Sequence, residues 1–405
     1  VNGSALRQLL RSICFDAQIF PEGKDAFKNP RLFPVPQLFT FDPLEEGELL
    51  SDIALLLPRY LLLPPTTIAE RIAAALRATK PPFAVNVAHD LLSFSFPDEF
   101  YREDTTLFSE LSTPSVPTHV IVAPPTVLCS GSMHARLLAA AVFQAYVRSH
   151  ANAEVFLQMC GAEYKPIQIA GQAPERIFLD LMQALCDAAP LTQSELRTQF
   201  EESFSTLDPS AEIFFWADGP VWTPAQATTF KRTRALASER RLQIIYPAHE
   251  WLQLEDPGVD RVGLAKLIAE HTKAVWWLLC SGPRGAEIDL RSVKERTFDN
   301  PWFTLQAVLE RSERLQEKLN GDQQSVVLDV CTWRRLRFLP FLLAEGSLDG
   351  SVWKFRRSFD GLVRQVHTLF NRSRQLSREE AIFVKMATKN INEVRAWAKL
   401  PALCI

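Results

Sequence analysis

Residues 118–148 read THVIVAPPTVLCSGSMHARLLAAAVFQAYVR, and the fold turns on them. His119–Val122 is a short β-branched run closed by Pro124 and Pro125, which predicts a strand and its end. Met133–Arg148 follows as an apolar, Ala-rich helical stretch, and Glu154–Met159 offers a second short strand. Further on, Glu212–Trp216 and Gln243–Tyr246 are brief apolar runs between helical segments. That alternation predicts an α/β layer with a parallel sheet over 116–260.

The composition changes on either side of this layer. Residues 1–115 are rich in Pro, Phe and Leu and read as a small α+β domain. Within them Ile68, Ile72, Ala75 and Leu76 recur at helical spacing, so Thr66–Ala78 is expected to be a helix, with Pro64 and Pro65 at its start. Phe83–Phe96 alternates weakly and predicts strand, and a linker begins at Ser112. Residues 261–405 carry long helical periodicity in Trp302–Leu319 and Trp353–Phe370, with Val326–Val330 the one candidate strand, and predict an all-α bundle.

With 405 residues, 47% hydrophobic and 22% charged, the chain has ample material for a folded core and is not dominated by disorder. Its longest apolar runs, Leu137–Val147 and Ile53–Leu63, fall short of the roughly 20 residues of a helical membrane span, and Pro58 and Arg59 interrupt the second. A net charge of −3 argues against a wholesale nucleic-acid coat and leaves room for a local basic face. Glycine numbers only 15, roughly half of average usage. Nucleotide-cradling loops draw on glycine where backbone must approach phosphate, and this chain has few such places.

The seven cysteines (14, 129, 160, 186, 280, 331 and 404) form no C-x-x-C and read as buried thiols of a reducing compartment. Phosphate-loop motifs, an H-E-x-x-H helix and a G-x-S-x-G elbow are all absent from the sequence, and Ser130-Gly131-Ser132 does not qualify as the last. The seven histidines stand apart, none paired at i, i+4. Residue patterns alone therefore nominate no catalytic group, no metal and no cofactor. The first residue is Val1, and Arg7 and Arg11 precede the first acid, Asp16; that pattern suits the stump of a cleaved organellar presequence or an arbitrary boundary.

Several segments nevertheless resemble arginyl-tRNA synthetases. Glu287-Ile288-Asp289-Leu290, then Phe298-Asp299-Asn300-Pro301-Trp302-Phe303 with Gln306 and Arg311, is similar to the opening of that family's helical anticodon-binding domain. There D-F-D-L leads into N-D-N-P-x-Y-Y-x-Q-Y-x-x-x-R. Phe370-Asn371-Arg372 with Arg374 resembles the family's F-N-x-F-Y-x-x-x-R, and Leu400-Pro401-Ala402-Leu403 its closing helix. Near the start, Pro65-Thr66-Thr67-Ile68-Ala69-Glu70-Arg71-Ile72 resembles the P-x-x-I-A-x-x-I helix that precedes the catalytic core, and Phe83–Phe96 falls at the strand after it. The resemblance implies a Rossmann-like class I synthetase-type core at 116–260, a small α+β domain at 1–115 and a helical anticodon-binding-type bundle at 261–405.

The catalytic signature departs from the family. Its adenylation loop, P-N-x-x-K-P-L-H-x-G-H-L-R, lies over Pro124–Arg136, where Leu128 replaces the Lys, Gly131 the first His and Met133 the Gly. Only His134 and Arg136 survive. The arginine-recognising D-W-G-x-Q-F is not legible at Gly161–Tyr164, HEWLQLED (249–256) stands where a K-M-S-K-like loop belongs, and D-A-L-R reads Lys273-Ala274-Val275-Trp276. Fold kept without site implies a non-catalytic pseudo-enzyme without cofactor, retained for its surfaces.

Residues 333–374 carry nine Lys/Arg against Glu345, Asp349 and Asp360, a local charge of +6. In the family this region faces tRNA, so Arg334, Arg335, Arg337, Arg356 and Arg357 are the candidate partner or tRNA surface. The expected role is a structural or accessory subunit of a large assembly on the mitochondrial matrix side, such as ATP synthase, a respiratory complex or the mitoribosome. Its partners would be other protein subunits. The alternative is a tRNA-binding accessory protein that assists a tRNA-modifying enzyme.

Overall fold

The computed structural model describes residues 3–21, 41–43, 49–111, 116–124, 131–218, 241–245, 261–280, 293–315 and 328–397, apart from 15, 17, 152–153, 162–164, 209, 295, 298–299, 351 and 373–375. Helix α1 (Gly3–Cys14) is followed by strands β1 (Phe41–Pro43) and β2 (Leu49–Ser51), short helices α2 (Ile53–Leu56) and α3 (Pro58–Leu61), and α4 (Pro65–Ala78). Next come β3 (Ala84–Ala88), β4 (Leu91–Ser95) and α5 (Asp98–Tyr101). The four strands form an antiparallel sheet in the order β1-β2-β4-β3. Helix α4 covers it with Ile68, Ile72 and Leu76, fully buried, while Ala75, the fourth periodic residue of the sequence, is half-buried.

Phe83–Phe96, expected as strand, is a hairpin. Ala88 pairs with Leu91 across the two residues His89 and Asp90, both at positive φ (49° and 66°) as a type I′ turn requires. The Thr66 hydroxyl donates to Asp90 Oδ1 at 2.6 Å, tying the turn to the first turn of α4.

The middle block holds β5 (Thr118–Val122), α6 (Gly131–Ala151), β6 (Val155–Met159), β7 (Ile167–Gln168), α7 (Pro174–Asp187), α8 (Gln193–Thr206), β8 (Glu212–Trp216) and β9 (Arg241–Ile245). The sheet runs β7-β6-β5-β8-β9, parallel throughout except for β7. Strand side chains alternate between two covered faces, as parallel sheets require. Val120, Val122, Phe214 and Trp216 join the main core with α6. Ile121, Ile213 and Phe215 meet Leu196, Phe200 and Phe204 of α8 in a second cluster. A capping box between Thr192 and Glu195 starts α8.

The last block is helical: α9 (Arg261–Leu279), α10 (Pro301–Leu315), α11 (Val330–Asp349), α12 (Val352–Asn371) and α13 (Arg378–Trp397). His271 leaves helical geometry and kinks α9. In α10 the backbone N–H groups of Trp302 and Phe303 donate to Asn300 Oδ1 at 3.0 and 3.4 Å, with Pro301 at the first helical position. The Asn-Pro of the sequence motif is thus a helix-start device. Val326–Val330 is not borne out as strand where it is described: Val330 opens α11 behind the N-cap Asp329, and 326–327 lie outside the described residues. Residues 316–319, the end of the expected helix from Trp302, lie outside them too.

Candidate functional site

From β5 the chain passes to β6 on one side and later to β8 on the other, so the order reverses at β5. Open α/β sheets bind ligands in the crevice outside the carboxyl ends of such strands. Here the ladder continues past the strand ends: Ala123 N–H donates to Trp216 O at 2.8 Å, Cys160 N–H to Val122 O at 2.8 Å, and Ala217 N–H to Ile245 O at 3.2 Å. Gly161 N–H donates to Ser203 Oγ at 3.3 Å. Cys160 is buried, and burial pushes its thiol up to about 12, which keeps it protonated and unreactive. Asp218, also buried, is the one carboxylate among these described edge residues. Residues 125–130, 162–164 and 219–240 lie outside the described residues, and with them Leu128 of the adenylation-loop comparison and all of Ala162–Tyr164.

Gly131, Met133 and His134 fall in the first turn of α6. Arg136, one step deeper, is fully buried. Burial lowers its pKa to about 10, partly opposed by Cys280. It belongs to the packing between α6 and the helical block.

Trp216 closes the β8 end. Its indole is fully buried, and Nε1 donates to Gln144 Oε1 at 2.7 Å; Gln144 Nε2 in turn donates to Ser347 O at 3.1 Å. The same indole lies against Gly350, the left-handed cap of α11 (φ 78°), where a Cβ would stand 2.7 Å from two ring carbons. The α11 terminus is thereby pinned to the carboxyl end of β8, an inner strand of the sheet.

The five candidate arginines part company, and two are not surface residues at all. Arg356 has no exposed surface. Its guanidinium carbon lies 3.8 Å from the centroid of the Trp277 ring, Nε donates to Trp277 O at 3.3 Å, and Nη1 pairs with Asp360. Burial lowers the Arg356 pKa and raises that of Asp360, each opposed by the other's charge. Arg337 is 6% exposed, lies over the Phe100 ring at 4.2 Å and donates to Glu103 at 3.2 Å. Arg334 lies 5.1 Å from the Tyr101 ring centroid and is half-buried. Arg335 is half-buried and Arg357 exposed. The physical reason is helical spacing: positions 337 and 356 fall on the apolar sides of their helices, where an aromatic ring and a carboxylate offset the burial of charge.

What receives Arg334 and Arg337 is an acidic strap, residues 98–111, which sequence reading passed over. Lys389 Nζ meets both Asp104 oxygens at 2.9 and 3.0 Å, Arg102 pairs with Glu379 at 3.2 Å, and Leu107 N–H donates to Glu393 at 2.7 Å. Phe100 and Tyr101 are buried, Tyr101 edge-on to Phe338 at 5.8 Å. The signal was available in the sequence, since Asp98, Glu99, Glu103, Asp104 and Glu110 crowd a short stretch of a chain whose basic excess lies elsewhere.

Among the described residues no cluster of His, Cys, Asp and Glu could hold a metal ion, and no helix is long and apolar enough to cross a membrane. No protein-family model and no curated protein matches the chain. A crystal structure from Campylobacter jejuni, provisionally described as an arginyl-tRNA synthetase, superposes with a TM-score of 0.43 at 10% sequence identity, over 84% of this chain and 99% of that one. By its own elements the chain is a mixed α/β protein with a helical bundle.

Proposed function

We propose that this chain is a non-catalytic structural or accessory subunit of a large, mitochondrial multi-protein assembly, built on a degenerate arginyl-tRNA synthetase plan. Its three blocks would be 1–115, 116–260 and 261–405, the last of anticodon-binding type. The observation that carries the reading is the inward use of charge: Arg356 is buried on Trp277 and Asp360, and Arg337 on Phe100 and Glu103. A nucleic-acid surface needs its arginines in solvent, where phosphates can reach them. Catalysis needs placed polar groups, and docking needs shape and stable packing. A subunit kept for shape can convert a former binding face into core.

The second reading, a tRNA-binding accessory protein, draws its support from the exposed Arg357 and Arg364. Depletion in the native cell separates the readings. Loss of a large mitochondrial complex on native gels, with charged tRNA-Arg unchanged, is the expected result. A fall in charged or modified tRNA with every complex intact would overturn it.

A further inference from the structure

We infer that the outer face of α12 is a docking surface for a carboxylate-bearing helix of a protein partner; this rests on the scaffold reading and names the chemistry of its neighbour. Helix α12 is strongly two-sided. Phe355, Phe359, Leu362 and Val366 are fully buried, whereas Lys354, Arg357, Gly361, Arg364 and Thr368 follow at steps of three and four on the opposite side. Arg357, Arg364 and Thr368 are exposed, and Lys354 and Gly361 half-buried. From Lys354 to Arg364 the row is about 15 Å long at the α-helical rise.

Gly361 explains itself only through a neighbour. Glycine is a poor helix former, yet it stands in the third turn of α12. A Cβ there would lie 3.1 Å from Cζ and Nε of Arg335 and 3.2 Å from its Nη1. The Arg335 guanidinium, reaching over from α11, occupies the place of a side chain. It is laid into the row between Arg357 and Arg364. The acid on the flank, Asp360, is already paired with the buried Arg356. Lys354, Arg335 and Arg364 therefore set a row of cations along this face, with the Arg335 guanidinium filling the place over Gly361.

Carboxylates at i, i+3 and i+7 of a partner helix repeat at the same pitch as these cations. The absence of a side chain at Gly361 lets the Arg335 guanidinium lie in the row, where a carboxylate of a second helix can meet it, and Trp353, half-buried with Lys354 Nζ 6.0 Å from its ring centroid, stands at one end. A polyanionic nucleic acid is disfavoured by the rest of the molecule, whose total charge is −3.

The test uses the full chain, fluorescence anisotropy and three labelled probes: a helical peptide with Glu at i, i+3, i+7 and i+10 on one face, the same composition with Glu spread around the helix, and a single-stranded RNA. The one-faced peptide should bind best. Arg335→Glu with Arg364→Glu should weaken it by about tenfold or more, and Gly361→Leu, which changes no charge, should weaken it severalfold by lifting Arg335. If Gly361→Leu fails to fold by circular dichroism, Gly361→Ala takes its place. Tighter binding of RNA with the same residue dependence, or peptide binding indifferent to all variants, would overturn the inference. Native gels keep the two readings apart. Variants that leave an assembly which the wild-type chain occupies support both, and variants that stay in it overturn this surface alone. A wild-type chain found in no large assembly overturns the scaffold reading itself.

Discussion

Gly350 and Trp216 fit together so closely that a single added carbon would be driven into the indole, at 2.7 Å from both Cη2 and Cζ2. The pair joins the end of α11 to the end of β8, 134 positions apart in the chain (350 less 216), and the Gln144 relay holds the same junction by hydrogen bonds. The carboxyl end of β8 and the end of α11 thus share one packed junction.

Gly350→Ala should therefore destabilise the protein by about 2–4 kcal/mol, combining the left-handed penalty with overpacking. Urea unfolding followed by tryptophan fluorescence measures it. A change below about 0.5 kcal/mol, the size of an ordinary surface effect, would show that the junction gives way easily.

Arg356→Ala should cost about 3–5 kcal/mol, because it strands the Asp360 carboxylate and uncovers Trp277. Arg356→Met with Asp360→Leu removes both charges and keeps volume, so it should recover most of that loss. Equal instability of the single and double variants in denaturant would mean that packing, not the stranded charge, dominates.

The helices were legible because their apolar residues repeat at a period that only a helix satisfies: Thr66–Ala78 and Trp353–Phe370 lie within α4 and α12 almost residue for residue. The parallel sheet was legible because its strands are buried on both sides and read as short apolar runs. The β3–β4 hairpin was hidden by its turn, where His89-Asp90 does the work usually given to Asn-Gly. Two arginines of the basic face, Arg337 and Arg356, were misread for a deeper reason. Whether an arginine on a helix points to water depends on what another part of the chain offers it, and Trp277, Phe100 and Glu103 are 79, 237 and 234 positions away from their arginines by subtraction of residue numbers. Local pattern carries no such information.

Acid should loosen the contact between the strap and the helices. His150 stacks on Phe108 with centroids 3.7 Å apart, and burial lowers its pKa below the unfolded value, partly opposed by Glu393. His367 is lowered by burial and by the Arg311 charge, while its ring contacts Asn371. A lowered histidine pKa means that the folded state binds its proton less readily than the unfolded chain does. Stability is then full above the unfolded value of about 6.5 and declines as pH falls through the lowered folded values. Denaturant midpoints between pH 7.5 and 5 should fall, and His150→Gln with His367→Gln should flatten that fall. An unchanged slope in the double variant would assign it to other groups.

ATP and arginine should produce no saturable heat in calorimetry with the full chain. The sequence places Leu128, Gly131 and Met133 where the resemblance asks for Lys, His and Gly. A triphosphate needs cations and close backbone approach, and Arg136, the arginine at the end of that stretch, is fully buried. Gly131→His with Met133→Gly restores two of the replaced residues and should still give no arginyl-adenylate. The groups for the arginine substrate and for the second loop are absent from the sequence at Gly161–Tyr164 and at 249–256, and adding two side chains cannot create them. Pyrophosphate exchange in the presence of arginine is the sensitive assay, since it detects adenylate formation without tRNA. Exchange above background in the wild-type chain would refute the non-catalytic reading. Exchange in the restored variant alone would mean that the rest of the site had survived, and that only the first turn of α6 stands between this fold and its chemistry.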